Sequence, residues 1–75
     1  MTLDQIECGK NYECLIGGKP RLVFVQDIIP SGVIALTCES HQERSREVWI
    51  KTDDIGKRII SRVDDVSAWR LKNGD

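Results

Sequence analysis

A small, mostly-β domain with a short helical tail is what this sequence predicts, and three observations predict it. β-Branched and aromatic residues come in short runs, Gly- and Pro-containing clusters separate them, and no stretch sustains a helical apolar period for long. The chain of 75 residues is enough for one domain, 1–75, and too short for two.

The first run is 10–16, in which Tyr12, Cys14 and Ile16 share one face at period two. Gly17-Gly18-Lys19-Pro20 breaks it, because paired glycines accept positive φ and Pro20 has no backbone donor. A second strand is expected over 21–28. Pro30-Ser31-Gly32 reverses the chain, and 33–38 forms a third strand. The polar stretch 39–45 reads as a loop or hairpin tip, and 46–51 as a fourth strand. Thr52-Asp53-Asp54-Ile55-Gly56 is a single helical turn, capped by Thr52 or Asp53 and ended at Gly56. A fifth strand covers 57–63. Asp64 or Asp65 then caps a short helix with Val66, Trp69 and Arg70 on one side.

This order of elements resembles the SH3-like barrel of Tudor and KOW modules. The residues that carry the resemblance are Gly9-Lys10-Asn11-Tyr12, Gly17-Gly18, Val23-Phe24-Val25, Pro30-Ser31-Gly32-Val33, and Val48-Trp49-Ile50 with Asp53-Asp54-Ile55. The resemblance covers about 9–63, with 64–75 as a tail. It implies a small five-stranded SH3-like barrel. Such barrels bind RNA, DNA, peptides or proteins, so the fold alone does not select a ligand.

Composition narrows the classes. Eleven Lys and Arg against twelve Asp and Glu give a net charge of −1. That balance gives no overall field for nucleic acid or for an anionic membrane. The opening residues have neither the basic flank nor the apolar core of a signal peptide. A cytoplasmic location with free thiols is therefore expected, and three cysteines cannot all pair within one chain.

Two strands carry apolar residues on both faces. Leu22 and Phe24 oppose Val23 and Val25, and Ile34, Leu36 and Cys38 oppose Val33 and Ala35. Both faces then need cover. One expectation is that the tail around Val66, Trp69 and Leu71 folds over the outer face. The other is that a second copy or another protein does so. In the fourth strand Val48 and Ile50 point inward and Trp49 outward, between an acid and a base. Trp69 is available to stack on Trp49.

The chemistry in the sequence is sparse. Cys8, Cys14, Cys38 and His41 are the only soft metal ligands besides Met1, and Cys38 and His41 stand at a C-x-x-H spacing. Cys14 and Cys38 are phased with Ile16 and Leu36, which makes them small strand hydrophobes, so no metal or cofactor is expected. The single His41 has no triad pattern around it, and capping explains Asp53-Asp54 and Asp64-Asp65. One small SH3-like barrel enzyme, the plasmid-type dihydrofolate reductase, has V-Q-I-Y where this chain has Val48-Trp49-Ile50-Lys51. The match stops at the two aliphatics.

The prediction is a non-catalytic binding or adaptor module. It self-associates or binds a protein partner through the outer face of its third and fourth strands with the polar loop around His41 to Arg46. Its partner-binding residues are Trp49, Arg44, Arg46, Lys51 and Trp69. The alternative is nucleic-acid binding, with Trp49 stacking among Arg44, Arg46, Lys51, Lys57, Arg58 and Arg62. Interleaved acids at Glu43, Glu47, Asp53, Asp54, Asp64 and Asp65 favour a salt-bridged surface instead.

Overall fold

In the computed structural model, residues 1–38 and 45–73 are described. Five antiparallel strands form one sheet: β1 (Asn11–Ile16), β2 (Lys19–Ile29), β3 (Gly32–Thr37), β4 (Glu47–Lys51) and β5 (Ile59–Val63). Their spatial order is β4-β3-β2-β1-β5. The first four strands are a meander, and β5 returns to lie beside β1. Among the described residues no ladder joins β4 to β5, so the sheet is open.

Turn chemistry sets the meander. Gly17 and Gly18 both take positive φ, +60° and +79°, which a two-residue hairpin loop of matching twist requires. The reversal therefore occupies only these two residues. Lys19 and Pro20, expected in the turn, instead begin β2, with Pro20 opposite Leu15. Proline is tolerated there because β3 runs alongside β2 only from Val23 onward, so no ladder needs the missing N–H. Further along β2 the register against β3 shifts between Val25 and Asp27, a bulge that bends the longest strand.

A 3-10 turn (Thr52–Asp54) runs into α1 (Ile55–Arg58) and carries the chain from β4 to β5. Neither Thr52 nor Asp53 caps this turn. Thr52 donates its hydroxyl to the Pro30 carbonyl at 2.9 Å, and its N–H to the Ser31 carbonyl at 3.1 Å. Gly56 does not end the turn either, since α1 continues through Lys57 and Arg58 and β5 begins only at Ile59. The buried Ile55 anchors this segment and holds it helical one residue beyond the glycine.

α2 (Val66–Lys72) follows β5. Asp65 is its N-cap, accepting the Ala68 N–H at 3.0 Å. Val66, Trp69 and Arg70 are its half-buried side. A second 3-10 turn, Leu3–Gln5, opens the chain, and Gln5 accepts the Thr2 N–H through its side chain at 2.9 Å. No helix among the described residues is long and apolar enough to cross a membrane.

The core lies on the concave side of the sheet. Tyr12 and Cys14 of β1, Val23 and Val25 of β2, Val33 and Ala35 of β3, Ile50 of β4 and Ile59 of β5 form it, with Ile55 and Ile6 closing it. Tyr12 is fully buried, and its hydroxyl accepts the Glu7 N–H at 2.8 Å, which ties the N-terminal segment down. Arg62 holds the same segment through Glu7 at 3.0 Å while also binding Asp64 at 2.8 Å.

Candidate binding face

The convex side of the sheet carries the second set of apolar residues, and the structure divides it into two halves. Over β5, β1 and β2, Leu22 is only 3% exposed and Val63 only 8%, although neither belongs to the core cluster. Register places Leu22 opposite Glu13, and Glu13 opposite Ser61. The Trp69 indole N–H donates to the Glu13 carboxylate at 2.7 Å. α2 therefore covers this half, and the tail accounts for Leu22 and Val63.

The other half, over β2, β3 and β4, stays open. Phe24 is 38% exposed and Trp49 40% exposed, with Ile34 and Leu36 half-buried between them. Cross-strand pairing makes them one patch: Phe24 faces Leu36, Ile34 faces Trp49, and Leu36 faces Glu47. The tail reaches only one half of the outer face because α2 is seven residues long.

Trp49 does not stack on Trp69. Trp69 is anchored at Glu13 on the outer face of β1, while Trp49 stands on β4, with β2 and β3 between them in the sheet order. Trp49 leans instead over Gly32. A Cβ built on Gly32 would lie 2.9 Å from the ring's Cη2, 3.0 Å from its Cζ2 and 2.4 Å from the Ile50 carbonyl oxygen. Gly32 is buried because the indole roofs it. Beside the ring lies an open depression of about 440 Å³, lined by Pro30, Ser31, Trp49, Lys51, Thr52 and Asp53. The two Thr52 bonds to the Pro30 and Ser31 carbonyls hold its floor together.

The other expected residues are placed as follows. Arg46 and Lys51 are exposed at the two ends of β4, with Trp49 between them. Arg46 is tied to β3 by its backbone, its N–H donating to the Thr37 hydroxyl at 2.8 Å. Arg44 and His41 lie outside the described residues. Two of the basic residues in the nucleic-acid set are engaged within the protein. Arg58 donates to the Leu15 carbonyl at 3.2 Å and to the Trp49 carbonyl at 3.5 Å, and Arg62 serves Glu7 and Asp64.

Among the described residues no three metal-ligating side chains converge. Cys14 faces the core, while the Cys38 thiol reaches Asn11 Oδ1 at 3.8 Å on the opposite face of the sheet. Cys8 is exposed. Burial pushes the Cys14 thiol above its ordinary pKa, with Arg58 partly offsetting this, so the group is inert rather than nucleophilic.

Sequence reasoning read Gly32 only as a turn residue, whereas it opens β3 without a positive φ, and Glu13 was not singled out. Gly32 is diagonal to Trp49 across the β3–β4 pair, so a small residue there was readable once the register was known. Glu13 stands on the outer face of β1 between Leu22 of β2 and Ser61 of β5, where a half-buried carboxylate needs a donor.

Fold and face together define a small open β-sheet protein whose outer surface is covered by α2 over one half and exposes Phe24 and Trp49 over the other. No protein-family model, curated protein or solved structure matches the chain.

Proposed function

We propose that the chain is a non-catalytic binding module of SH3-like build. It engages a protein surface, a second copy first of all, through the outer face of β2, β3 and β4. The observation that carries this reading is the contiguous patch of Phe24, Ile34, Leu36 and Trp49, left open where α2 covers the other half of the same face. The strand order β4-β3-β2-β1-β5, with one helical segment between β4 and β5, supports the SH3-like reading. Trp49 supplies buried area at the contact, and Arg46 and Lys51 supply charge complementarity. The module works in the cytoplasm, without metal or cofactor.

The test is solution mass by light scattering on a sizing column, for the wild type and for Trp49→Ala. The expected result is an oligomer that Trp49→Ala dissociates and that salt leaves largely intact. A wild type that stays at the 8.5 kDa of one chain overturns self-association. Salt-sensitive binding to a single-stranded oligonucleotide, lost in Arg46→Ala, replaces the protein reading with the nucleic-acid one.

A further inference from the structure

The chain holds two asparagines, Asn11 and Asn73, and only Asn73 is followed by a glycine. That pair of residues carries a reaction of its own. The backbone nitrogen after an asparagine can attack the side-chain carbonyl carbon and close a five-membered ring. A glycine in that place has no side chain to shield the nitrogen. Asn73 also sits at a structural joint. It is the C-cap of α2, and two of its donors converge on the Trp69 carbonyl, Nδ2 at 2.8 Å and the backbone N–H at 3.0 Å. Trp69 is the residue whose indole lands on Glu13 and so holds α2 over Leu22 and Val63.

The docked helix holds this reaction back. Asn73 has φ −101° and ψ +10°. At that ψ its side chain and the following amide nitrogen are turned apart. Ring closure therefore requires ψ to rotate and the bond to the Trp69 carbonyl to break. α2 has seven residues, too few to stay helical without docking, and Asn73 is exposed. The last turn of α2 is thus free to open while the sheet stays folded. Asn11 has neither condition, since it is laddered to Phe24 on one side and Val63 on the other, and the bulky Tyr12 follows it.

We propose that Asn73 is a self-modification site, where the chain loses ammonia at a rate set by the undocking of α2. The Gly74 nitrogen bonds to Asn73 Cγ, the Cγ–Nδ2 bond breaks, and the proton from that nitrogen leaves with the ammonia. Water then opens the ring at one carbonyl or the other, which leaves aspartate or isoaspartate at position 73. The product takes a donor away from the Trp69 carbonyl. It also sets a carboxylate at the C-terminal end of α2, where the helix dipole is already negative. Both changes loosen the helix. Leu22 stands two residues before Phe24 on the same face of β2, so a loosened α2 extends the open apolar face across the sheet. This chemistry is independent of what the outer face binds.

The experiment is incubation of the folded chain in neutral buffer at body temperature, followed by isoelectric focusing and mass mapping of the C-terminal peptide. The wild type is expected to gain an acidic form whose change maps to Asn73, with Asn11 unaltered in the same sample. Asp65→Ala removes the cap at the far end of α2 and is expected to speed the gain by roughly threefold to tenfold. Gly74→Val is expected nearly to stop it. Circular dichroism confirms that the sheet is folded in each variant.

Equal rates in the wild type and Asp65→Ala overturn control by α2. A wild type that keeps the Asn73 amide as long as it keeps that of Asn11 overturns the site itself. Asn73→Asp supplies the product directly, and amide hydrogen exchange within α2 is expected to quicken roughly threefold to thirtyfold. Unchanged exchange in that variant overturns the loosening of α2.

Discussion

Trp49 shows how one side chain sets the local geometry of the face. Its ring fits only because position 32 has no Cβ. Gly32→Ala brings a methyl carbon within 2.4 Å of the Ile50 carbonyl oxygen and 2.9 Å of the indole. The first of these is backbone and cannot step aside by changing rotamer. The variant is expected to lose about 1–3 kcal/mol, the usual cost of forcing volume into a filled site. Urea unfolding measures it, and an unchanged midpoint would mean that the indole does not roof the glycine. The sequence pattern showed Trp49 pointing outward, because alternation along 46–51 is clean. What it lay against was not legible. That contact depends on the β3–β4 register and on which diagonal the ring chooses.

At the scale of elements, α2 is the piece whose role the sequence left open. Seven residues do not form a stable helix alone in water, so its order comes from docking. Asp65 starts it, and the Trp69–Glu13 hydrogen bond fixes where it lands. Trp69→Phe keeps most of the apolar area and removes the donor, so it is expected to cost about 1–2 kcal/mol, as for a hydrogen bond to a charged group near the surface. Glu13→Gln should cost less, since its amide still accepts. The double variant should cost about as much as Trp69→Phe alone, because the bond can be lost only once. Additive losses in urea unfolding would show that the two side chains act separately.

The strands themselves were legible to within a residue or two, since period-two alternation and glycine turns are local signals. β2 was longer than expected because Pro20 sits where β3 does not reach. The segment between β4 and β5 ran further than expected because Ile55 buries itself in the core. Both departures come from tertiary neighbours that no local pattern displays. The two-sided apolar strands did announce that both faces need cover. Which half the tail takes depends on where β5 ends and on Glu13.

For the whole molecule the central question is how an open sheet keeps a dry core. β4 and β5 are not laddered together, and α1 spans the gap, touching β1, β4 and β5. Ile55 fills the space beneath it, and Arg58 links the sides, with one nitrogen on the Leu15 carbonyl of β1 and another on the Trp49 carbonyl of β4. Both acceptors are backbone atoms, so the guanidinium acts as a clasp between strands that never pair. Arg58→Met keeps the aliphatic stem and removes both donors. The resulting loss should be local, because among the described residues β4 has β3 as its only strand neighbour while β1 sits between β2 and β5. Amide hydrogen exchange in Val48 and Ile50 is expected to quicken several-fold, with Tyr12 and Val23 nearly unchanged, since the former open with the edge strand and the latter only with the whole sheet. Uniform quickening across all five strands would show that Arg58 supports global stability and is not a clasp. No change anywhere would leave Ile55 and the core alone to hold β4 in place.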